Sequence, residues 1–345
     1  MHTLLRPPAL KPGDCVAVVT PSGPAPVLFQ EKFLLGVRRL EELGFRVRIG
    51  PCARKCQGYR SASIRERADE LNQFLRDPEV RCIISAIGGW NSNSLLPYLD
   101  DDAVARDPKV VVGYSDFTAV LLGLHAKTGL ATFYGPAVVP SFGEYPRPLE
   151  FTLAEFRNIL CEGRVGALPR PAEWTEERTL DWRTPAWKSR PRHLVPNPPW
   201  RCVRPGSALG PLLGGNLNTM QGFIGTPFFP AIDGAVFFIE DSLKGLSRIE
   251  RSLGLLKLHG VFDRIGGLVL GKPEALDREG APFGLDELVL EVTAGYDFPI
   301  LADVDLGHTA PVTTLPLGVR CRLDADAGSL ELLEPGVTIG GGRGS

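Results

Sequence analysis

The stretch KVVVGYSDFTAVLLGLHAKTG, residues 109–129, places a run of buried-strand residues directly before a helical pattern. Two similar apolar runs precede it, DCVAVVT at 14–20 and VRCIISAI at 80–87, and helical spacing of apolar residues lies between them. Strands that alternate with helices predict a parallel sheet with helices on both faces. Ligands bind such sheets at the carboxyl ends of the strands, which is where Ser115 falls.

Length and composition indicate an α/β chain of two domains. At 345 residues the chain is longer than one typical hydrophobic core requires. We predict an N-terminal α/β domain over 1–163, a crossover over 164–206 and a mixed, β-rich C-terminal domain over 207–345. The net charge of −2 provides no overall field that would attract nucleic acid.

Targeting signals and metal motifs are not evident in the sequence. No stretch has the roughly 18 consecutive apolar residues of a membrane span. The start, MHTLLRPPALKPGDCVAVV, lacks a long apolar run before a cleavage site, so we expect no signal peptide and a cytoplasmic protein. Seven cysteines, an odd number, favour reduced thiols. Cys52 and Cys56 have no second Cys/His pair nearby, so we expect no metal site.

Ser115 lies on the predicted turn between the strand and the helix of residues 109–129. A serine on such a turn exposes its hydroxyl at the sheet edge, and the helix N-terminus behind it stabilises developing negative charge. The backbone N–H of Asp116 would then be an oxyanion donor. The alternative is that Ser115 only caps the helix, which the pattern favours because GYSD departs from the GxSxG motif of hydrolases.

Three other short segments carry candidate functional residues. Gly88-Gly89-Trp90 follows the strand of 80–87, where glycines either bring backbone N–H groups close to a ligand or form a tight turn. Glu240 ends an apolar run, where a carboxylate needs a partner such as histidine unless it is exposed. His308, in the loop LADVDLGHTAPVTTLPLG, is the preferred base among five histidines because such loops carry function.

The segment 164–204 is rich in proline and contains four of the five tryptophans. It carries nine Lys or Arg and four acidic residues, a local net charge of +5. Aromatic rings interleaved with cations suit stacking on a nucleobase and attraction of a phosphate or carboxylate. We favour Trp182 for the stacking role because it follows the polar run EERTLD. The alternative is that these tryptophans anchor a crossover to the core.

Six segments in this order resemble the LD-carboxypeptidase family of serine peptidases, over nearly the whole chain. Lys244, four residues after Glu240, and the segments GGWNSN and EWTEERTLDW are most similar to the microcin C self-immunity branch. The six segments are AIGGWNSNSLLPYLD, VVGYSDFTAVL, LLGGNLNTMQGFIGTP, FFIEDSLKGLSRIERSL, LVLGKPE and DLGHTAPVTTLPLG.

The resemblance implies a Rossmann-like N-terminal domain, similar to class I glutamine amidotransferases, and a barrel-like, β-rich C-terminal domain. It implies Ser115 as nucleophile, His308 as base and Glu240 as its partner, with no metal or organic cofactor. It further implies a cytoplasmic homodimer. The implied oxyanion donors are the N–H groups of Gly89 and Asp116, and the implied substrate contacts are Gly88, Trp90, Trp182, Asn216 and Lys244.

The implied activity is hydrolysis of an amide bond by a serine carboxypeptidase through an acyl-enzyme. The expected substrate is a microcin C-like aminoacyl or peptidyl nucleotide, and the expected role is detoxification. One alternative is trimming of murein tetrapeptides in peptidoglycan recycling. Another is a catalytically silent module that keeps the fold and binds a small molecule. In each case the partner is a small molecule, not nucleic acid or membrane.

Overall fold

The computed structural model describes residues 3–177, 181–242 and 244–340 and contains two large sheets. The strands are β1 (Cys15–Val19), β2 (Arg46–Ile49), β3 (Val80–Ser85), β4 (Val110–Gly113), β5 (Phe133–Tyr134), β6 (Gly166–Ala167), β7 (Glu173–Trp174), β8 (Val195–Pro196), β9 (Arg201–Arg204), β10 (Ser207–Asn216), β11 (Val236–Glu240), β12 (Gly267–Gly271), β13 (Ile300–Val304), β14 (Leu315–Pro316), β15 (Arg320–Asp324) and β16 (Ser329–Leu332).

Nine α-helices lie within the described residues, together with short 3₁₀ and π turns. The helices are α1 (Ala25–Leu28), α2 (Gln30–Glu42), α3 (Ile64–Arg76), α4 (Asp101–Arg106), α5 (Thr118–Thr128), α6 (Glu150–Leu160), α7 (Leu217–Met220), α8 (Leu246–Leu258) and α9 (Leu285–Val292). The turns are Pro51–Arg54, Ser92–Tyr98, Ser115–Phe117, Val138–Phe142 and Pro185–Lys188.

The N-terminal sheet has the strand order β14-β5-β4-β3-β1-β2, and its first five strands along the chain are parallel. The apolar runs at 14–20, 80–87 and 109–113 form its central strands β1, β3 and β4, all buried apart from the half-buried Arg81 in β3. Full burial on both faces explains why these runs are continuous and not alternating. The predicted parallel α/β domain is confirmed.

The helices of this domain begin where the sequence provides caps. Ser63 caps α3: its hydroxyl accepts from the Glu66 N–H at 3.3 Å, and the Glu66 carboxylate accepts from the Ser63 N–H at 2.9 Å. Two donors of the first helical turn are thereby satisfied. Helix α5 is apolar and buried from Thr118 to Leu124, so it lies inside the molecule. It therefore supports the turn that carries Ser115.

The C-terminal sheet has eight strands in the order β6-β16-β15-β10-β11-β12-β13-β9. Strands β10 to β13 are parallel, and the outer strands are antiparallel to their neighbours. The predicted β-rich second domain is confirmed, and its parallel centre aligns the carboxyl ends of four strands at one edge. Glu240 is the last residue of β11 and lies at that edge.

The long strand β10 is not indicated by the sequence because its end, LLGGN, is rich in glycine. Gly214 has φ 141°, and a Cβ there would lie 1.9 Å from the Phe238 carbonyl oxygen. A Cβ at Gly215 would lie 2.4 Å from Cγ2 of Thr118 at the start of α5. Both glycines are needed for close approach, so the end of β10 packs directly against the helix that follows Ser115.

Each predicted domain boundary is crossed by strand pairing. Strand β14 follows β13 along the chain but pairs with β5 at the edge of the N-terminal sheet. Strands β6 and β9, from the predicted crossover, pair with β16 and β13 of the C-terminal sheet. The domain boundaries at 163 and 206 therefore stay a prediction. Each sheet includes at least one strand from outside the chain segment that was assigned to it.

A buried polar cluster anchors the crossover to the C-terminal sheet. Lys272 after β12 pairs with Asp305 after β13 at 2.9 Å, and both side chains are almost fully buried. From the crossover, Asn197 donates to Asp305 at 3.1 Å and Trp200 donates to it at 2.8 Å. The carboxylate is thus satisfied by three donors, which burial of a charge requires. No helix in the described ranges is long and apolar enough to cross a membrane.

We expect Lys272→Met to lower the free energy of unfolding by about 3–5 kcal/mol, because it leaves the buried Asp305 carboxylate without its cation. The measurement is the midpoint of urea unfolding. Arg322→Met is the matched control, since Arg322 pairs with Glu331 at 2.8 Å on the surface and should contribute less than about 1 kcal/mol. Equal effects of the two substitutions would contradict the anchoring role of the cluster.

Candidate active site

Ser115 lies in a strained turn between β4 and α5. Its φ is +61°, in the left-handed region that L-residues rarely adopt. The chain then forms a 3₁₀ turn, Ser115–Phe117, before α5 begins at Thr118. The N-cap residue of α5 is Phe117 and not Ser115, and the Ser115 hydroxyl is bonded to His308 instead. Its carbonyl oxygen accepts from the Thr118 hydroxyl at 2.6 Å, which fixes the turn from behind.

The Ser115 hydroxyl, the His308 imidazole and the Glu240 carboxylate form one hydrogen-bonded chain. Ser115 Oγ lies 3.1 Å from His308 Nε2, and His308 Nδ1 lies 2.7 Å from Glu240 Oε2. The three groups come from the ends of β4 and β11 and from the loop after β13. The structure therefore brings together the three side chains that the sequence suggested, from both domains.

Glu240 is held by further donors on its second oxygen. Oε1 accepts from the Tyr134 hydroxyl at 2.5 Å and from the Asn216 amide at 2.9 Å. Gly307 allows the approach of the histidine loop, since a Cβ there would lie 2.1 Å from Glu240 Oε2. Asn216, expected to bind substrate, thus contacts the carboxylate beside the histidine, and its contact with substrate stays a prediction.

The pKa values of this pair shift in opposite directions. Burial lowers the pKa of His308, but the charge and hydrogen bond of Glu240, with smaller contributions from Glu274 and Asp241, raise it more, so that the pKa lies above its ordinary value. Burial raises the pKa of Glu240, but His308, Tyr134 and Asn216 lower it to below its ordinary value. Glu240 is therefore the anion of the pair, and the imidazole becomes positively charged readily.

The glycines after β3 lie against the serine. A Cβ at Gly88 would lie 2.7 Å from Ser115 Oγ and 3.2 Å from the Asp116 nitrogen. The Gly88 carbonyl accepts from the Gly23 N–H at 3.1 Å. Because a trans peptide directs its C=O and N–H oppositely, the Gly89 N–H points away from Gly23. Gly88 thus packs against the serine turn, and the role of the Gly89 and Asp116 N–H groups as oxyanion donors stays a prediction.

Two further sequence candidates contact each other. The Lys244 ammonium lies 5.2 Å from the ring centre of Trp90, within cation–π range. Trp90 is 70 % exposed, so its ring is available at the surface beside the glycine loop. Neither residue lines the large cavity next to His308. The expected role of this pair in substrate binding stays a prediction.

A cavity of about 610 Å³ opens next to His308. Trp182, the favoured stacking residue, lies in its wall and is half-buried. Its ring packs edge-on against Phe29 at 5.4 Å, and the buried Lys32 ammonium lies 5.0 Å from its centre. Trp182 thus contacts both the core and the cavity. Among the described residues, the charged side chains of the wall are Glu144, Asp181, Arg183, Arg192 and Glu274.

Sequence reasoning missed Tyr134 and Gly307. Tyr134 is fully buried at the end of β5, where its hydroxyl donates to Glu240 and accepts from the Ser115 N–H at 3.4 Å. The segment ATFYG, an apolar run that stops at a glycine, was the available signal for a strand end beside β4. Gly307 directly precedes His308 and has φ +88°. The Gly-His pair in a loop was the available signal for this left-handed position, which glycine adopts readily. Among the described residues, no cluster of three His, Cys, Asp or Glu side chains could hold a metal ion.

A two-domain α/β chain with a hydrogen-bonded Ser, His and Glu at the domain junction has the architecture of a serine hydrolase. Family models for the N-terminal and C-terminal domains of LD-carboxypeptidases match residues 16–135 and 209–323. The chain belongs to the LD-carboxypeptidase family and is a serine-type peptidase.

The chain is similar over most of its length to relatives from other bacteria and to solved structures. It is 43% identical to a putative carboxypeptidase of Vibrio cholerae, over 95% of this chain and 98% of the relative. It is 42% identical to the microcin C7 self-immunity protein MccF of Escherichia coli, over 96% of each chain. A structure of MccF in complex with glutamyl sulfamoyl guanosine has a TM-score of 0.92 and 39% identity, covering 97% of this chain and 100% of that one.

We expect Glu240→Gln to lower the pKa of His308. The carboxylate that raises the pKa is lost, whereas the burial that lowers it remains. The measurement is an NMR titration of the five histidine Cε1 protons, with His308 assigned from the signal that disappears in His308→Gln.

Asp241→Asn serves as the control for this titration. Asp241 is the smallest of the charges that raise the pKa of His308 and makes no hydrogen bond to its ring, so the shift should be much smaller. A His308 pKa that is unchanged in Glu240→Gln would contradict the assigned electrostatic coupling.

Proposed function

We propose that the chain hydrolyses an amide bond through a Ser115–His308–Glu240 triad and a covalent acyl-enzyme. The observation that carries this proposal is the unbroken hydrogen-bonded chain of 3.1 Å and 2.7 Å between the three side chains. The strained backbone of Ser115 supports it as well, because strain at a non-glycine residue persists only where the surroundings enforce it.

The triad geometry supports a two-stage reaction. His308 Nε2 accepts the Ser115 proton while Oγ attacks the amide carbonyl, and the C–N bond breaks as the imidazolium donates that proton to the leaving nitrogen. A water then attacks the ester, again with His308 as base, and releases the carboxylic acid and the free serine. Glu240 stays ionised and stabilises the imidazolium, which agrees with its lowered pKa.

Negative charge on the carbonyl oxygen would be stabilised by the N–H groups of Gly89 and Asp116. A Cβ at Gly88, the residue before Gly89, would lie 2.7 Å from Ser115 Oγ and 3.2 Å from the Asp116 nitrogen, and this proximity supports the choice of donors. The Ser115 N–H is directed to Tyr134 instead. Backbone donors fixed before reaction stabilise an oxyanion more than donors that must reorganise.

The substrate that the cavity supports best is an aminoacyl or peptidyl nucleotide, and the matching role is resistance to a microcin C-like compound. The cavity places an indole ring, Trp182, and two guanidinium groups, Arg183 and Arg192, in the same wall as His308. Arg192 is paired with Glu144 at 2.6 Å, which leaves Arg183 as the better anion partner. The ligand in the MccF structure, glutamyl sulfamoyl guanosine, likewise joins an aminoacyl group to a nucleoside.

A murein tetrapeptide and a silent binding module remain as the competing outcomes. A tetrapeptide has no base to stack on Trp182, whereas a silent module would bind ligand without covalent chemistry. Cytoplasmic residence and a homodimer, with Lys244, Trp90, Gly88 and Asn216 as further substrate contacts, are part of the same proposal. Analytical ultracentrifugation tests the dimer directly.

Ser115→Ala should lower kcat by about 10⁴-fold or more, as for other triad nucleophiles. The fold should persist, because a hydroxyl at a turn contributes little packing. The assay is release of glutamate from glutamyl sulfamoyl adenosine, with circular dichroism as the test of folding. Mass spectrometry after treatment with a fluorophosphonate should show one adduct in the wild type and none in the variant. Activity near the wild-type level in Ser115→Ala would remove Ser115 from the mechanism.

Trp182→Ala should lower kcat/KM for the nucleotide substrate by about 5- to 150-fold, since base–aromatic stacking contributes about 1–3 kcal/mol. Hydrolysis of a murein tetrapeptide, which lacks a base, should scarcely change. The measurement is kcat/KM for both substrates together with the melting temperature.

Trp187→Ala is the matched control for this substitution. Trp187 is buried, packs against Tyr145 at 6.3 Å and also contacts Lys32, but it does not line the cavity. Its loss should lower the melting temperature and affect both substrates alike. Equal losses on both substrates in Trp182→Ala, or no loss on either, would count against stacking and favour the murein peptide.

A further inference from the structure

The side chain of Asp116 is buried at the active site but takes no part in the steps above. It is 3 % exposed, and a single oxygen, Oδ2, accepts three hydrogen bonds. The donors are the Ser22 hydroxyl at 2.5 Å, the Asn91 N–H at 3.0 Å and the Ser92 N–H at 2.9 Å. The Ser92 hydroxyl also donates to the Asp116 carbonyl. One residue is therefore bonded to two separate loops.

One of those two loops carries the proposed oxyanion donor Gly89, and the other packs against it. Ser22 belongs to the loop after β1, and Asn91 and Ser92 follow the glycine loop after β3. The loops are also bonded to each other, because Gly23 donates to the Gly88 carbonyl at 3.1 Å. A Cβ at Gly89 would lie 2.8 Å from both the Gly23 nitrogen and Ser22 Cβ, so the loops touch through backbone. The orientation of the Gly89 N–H thus depends on the position of the loop after β1.

A buried guanidinium holds the same loops from the other side. Arg67, on α3, is 1 % exposed and donates to the Pro21 carbonyl and, at 2.9 Å, to the Asn91 side-chain oxygen. Its positive charge partly compensates the Asp116 carboxylate. Asp116 therefore ties the loops after β1 and β3 to the nucleophile turn, and Arg67 ties the same two loops to each other and to α3.

We propose that the Asp116 carboxylate is a positioning residue that sets the spacing of the two oxyanion donors, by tying the loops after β1 and β3 to the turn that carries Ser115. Its own N–H is one donor, and its side chain fixes the loop that carries the other, that of Gly89. The proposal rests on the acyl transfer at Ser115 described above. Because oxyanion donors act only when charge develops on the carbonyl oxygen, the carboxylate contributes to turnover and not to substrate binding.

Asp116→Asn tests this proposal, since it keeps the shape and one acceptor but removes the charge. We expect kcat on glutamyl sulfamoyl adenosine to fall by about 10- to 100-fold with KM within about threefold of wild type, because a misplacement of about 1 Å costs on the order of 10²-fold. The rate of fluorophosphonate labelling at Ser115 should fall by a similar factor, since its tetrahedral adduct needs the same donors.

Ser22→Ala and Asp100→Asn complete the experiment. Ser22→Ala removes one of the three bonds and keeps the charge, so kcat and labelling should fall by about 3- to 10-fold. Asp100 caps α4 through the Ala103 N–H at 2.9 Å, and its substitution should change stability without changing either rate. Melting temperatures identify any loss that comes from unfolding, and if Asp116→Asn does not fold, Ser22→Ala is judged by the same criteria.

Two results would overturn the positioning role. One is a folded Asp116→Asn protein whose kcat and labelling rate both stay within threefold of wild type. The other is a loss that appears in KM alone, which would indicate substrate binding. Failure of the acyl-transfer mechanism is distinct from both, because it would show as activity retained in Ser115→Ala and as wild-type protein that is not labelled at Ser115.

Discussion

The buried carboxylate of Glu240 is the constraint on which the rest of the site depends. An ionised group at the end of a buried strand is unfavourable unless donors surround it, and here they come from three places: the loop after β13, strand β5 and the end of β10. Two of these belong to the C-terminal sheet and one to the N-terminal sheet. Satisfying one charge therefore aligns the two domains and places His308 beside Ser115.

Local sequence was sufficient for the elements that present the site. Continuous apolar runs mark β1, β3 and β4, because strands that are buried on both faces do not alternate apolar and polar residues. The carboxyl ends of those strands meet at one edge, so the candidate residues Gly88, Gly89 and Ser115 followed from topology. His308 and Glu240 were selected with help from the family resemblance, since nothing local links two residues 68 positions apart.

Contacts between distant segments could not be predicted from one sequence. Tyr134 reaches Glu240 across 106 residues, and Asp116 reaches Ser22 across 94, so both depend on how the strands are ordered in the sheet. Strand β10 was missed because its glycines serve close approach of neighbouring backbone, which lowers the strand signal. The sequence also did not indicate that Asn216 bonds to Glu240, because Glu240 lies on the adjacent strand β11.

Strand β14 makes the two domains inseparable. A segment that follows the C-terminal strands returns to pair with β5 and closes the edge of the N-terminal sheet. An N-terminal fragment would leave the outer edge of β5 unpaired, and an unpaired edge strand favours association with other chains. During synthesis this edge stays open until residues 315–316 have left the ribosome. A recombination event that replaced the C-terminal domain would also replace β14, which pairs with β5 of the N-terminal sheet. We therefore expect the family to evolve as whole chains and not by exchange of domains.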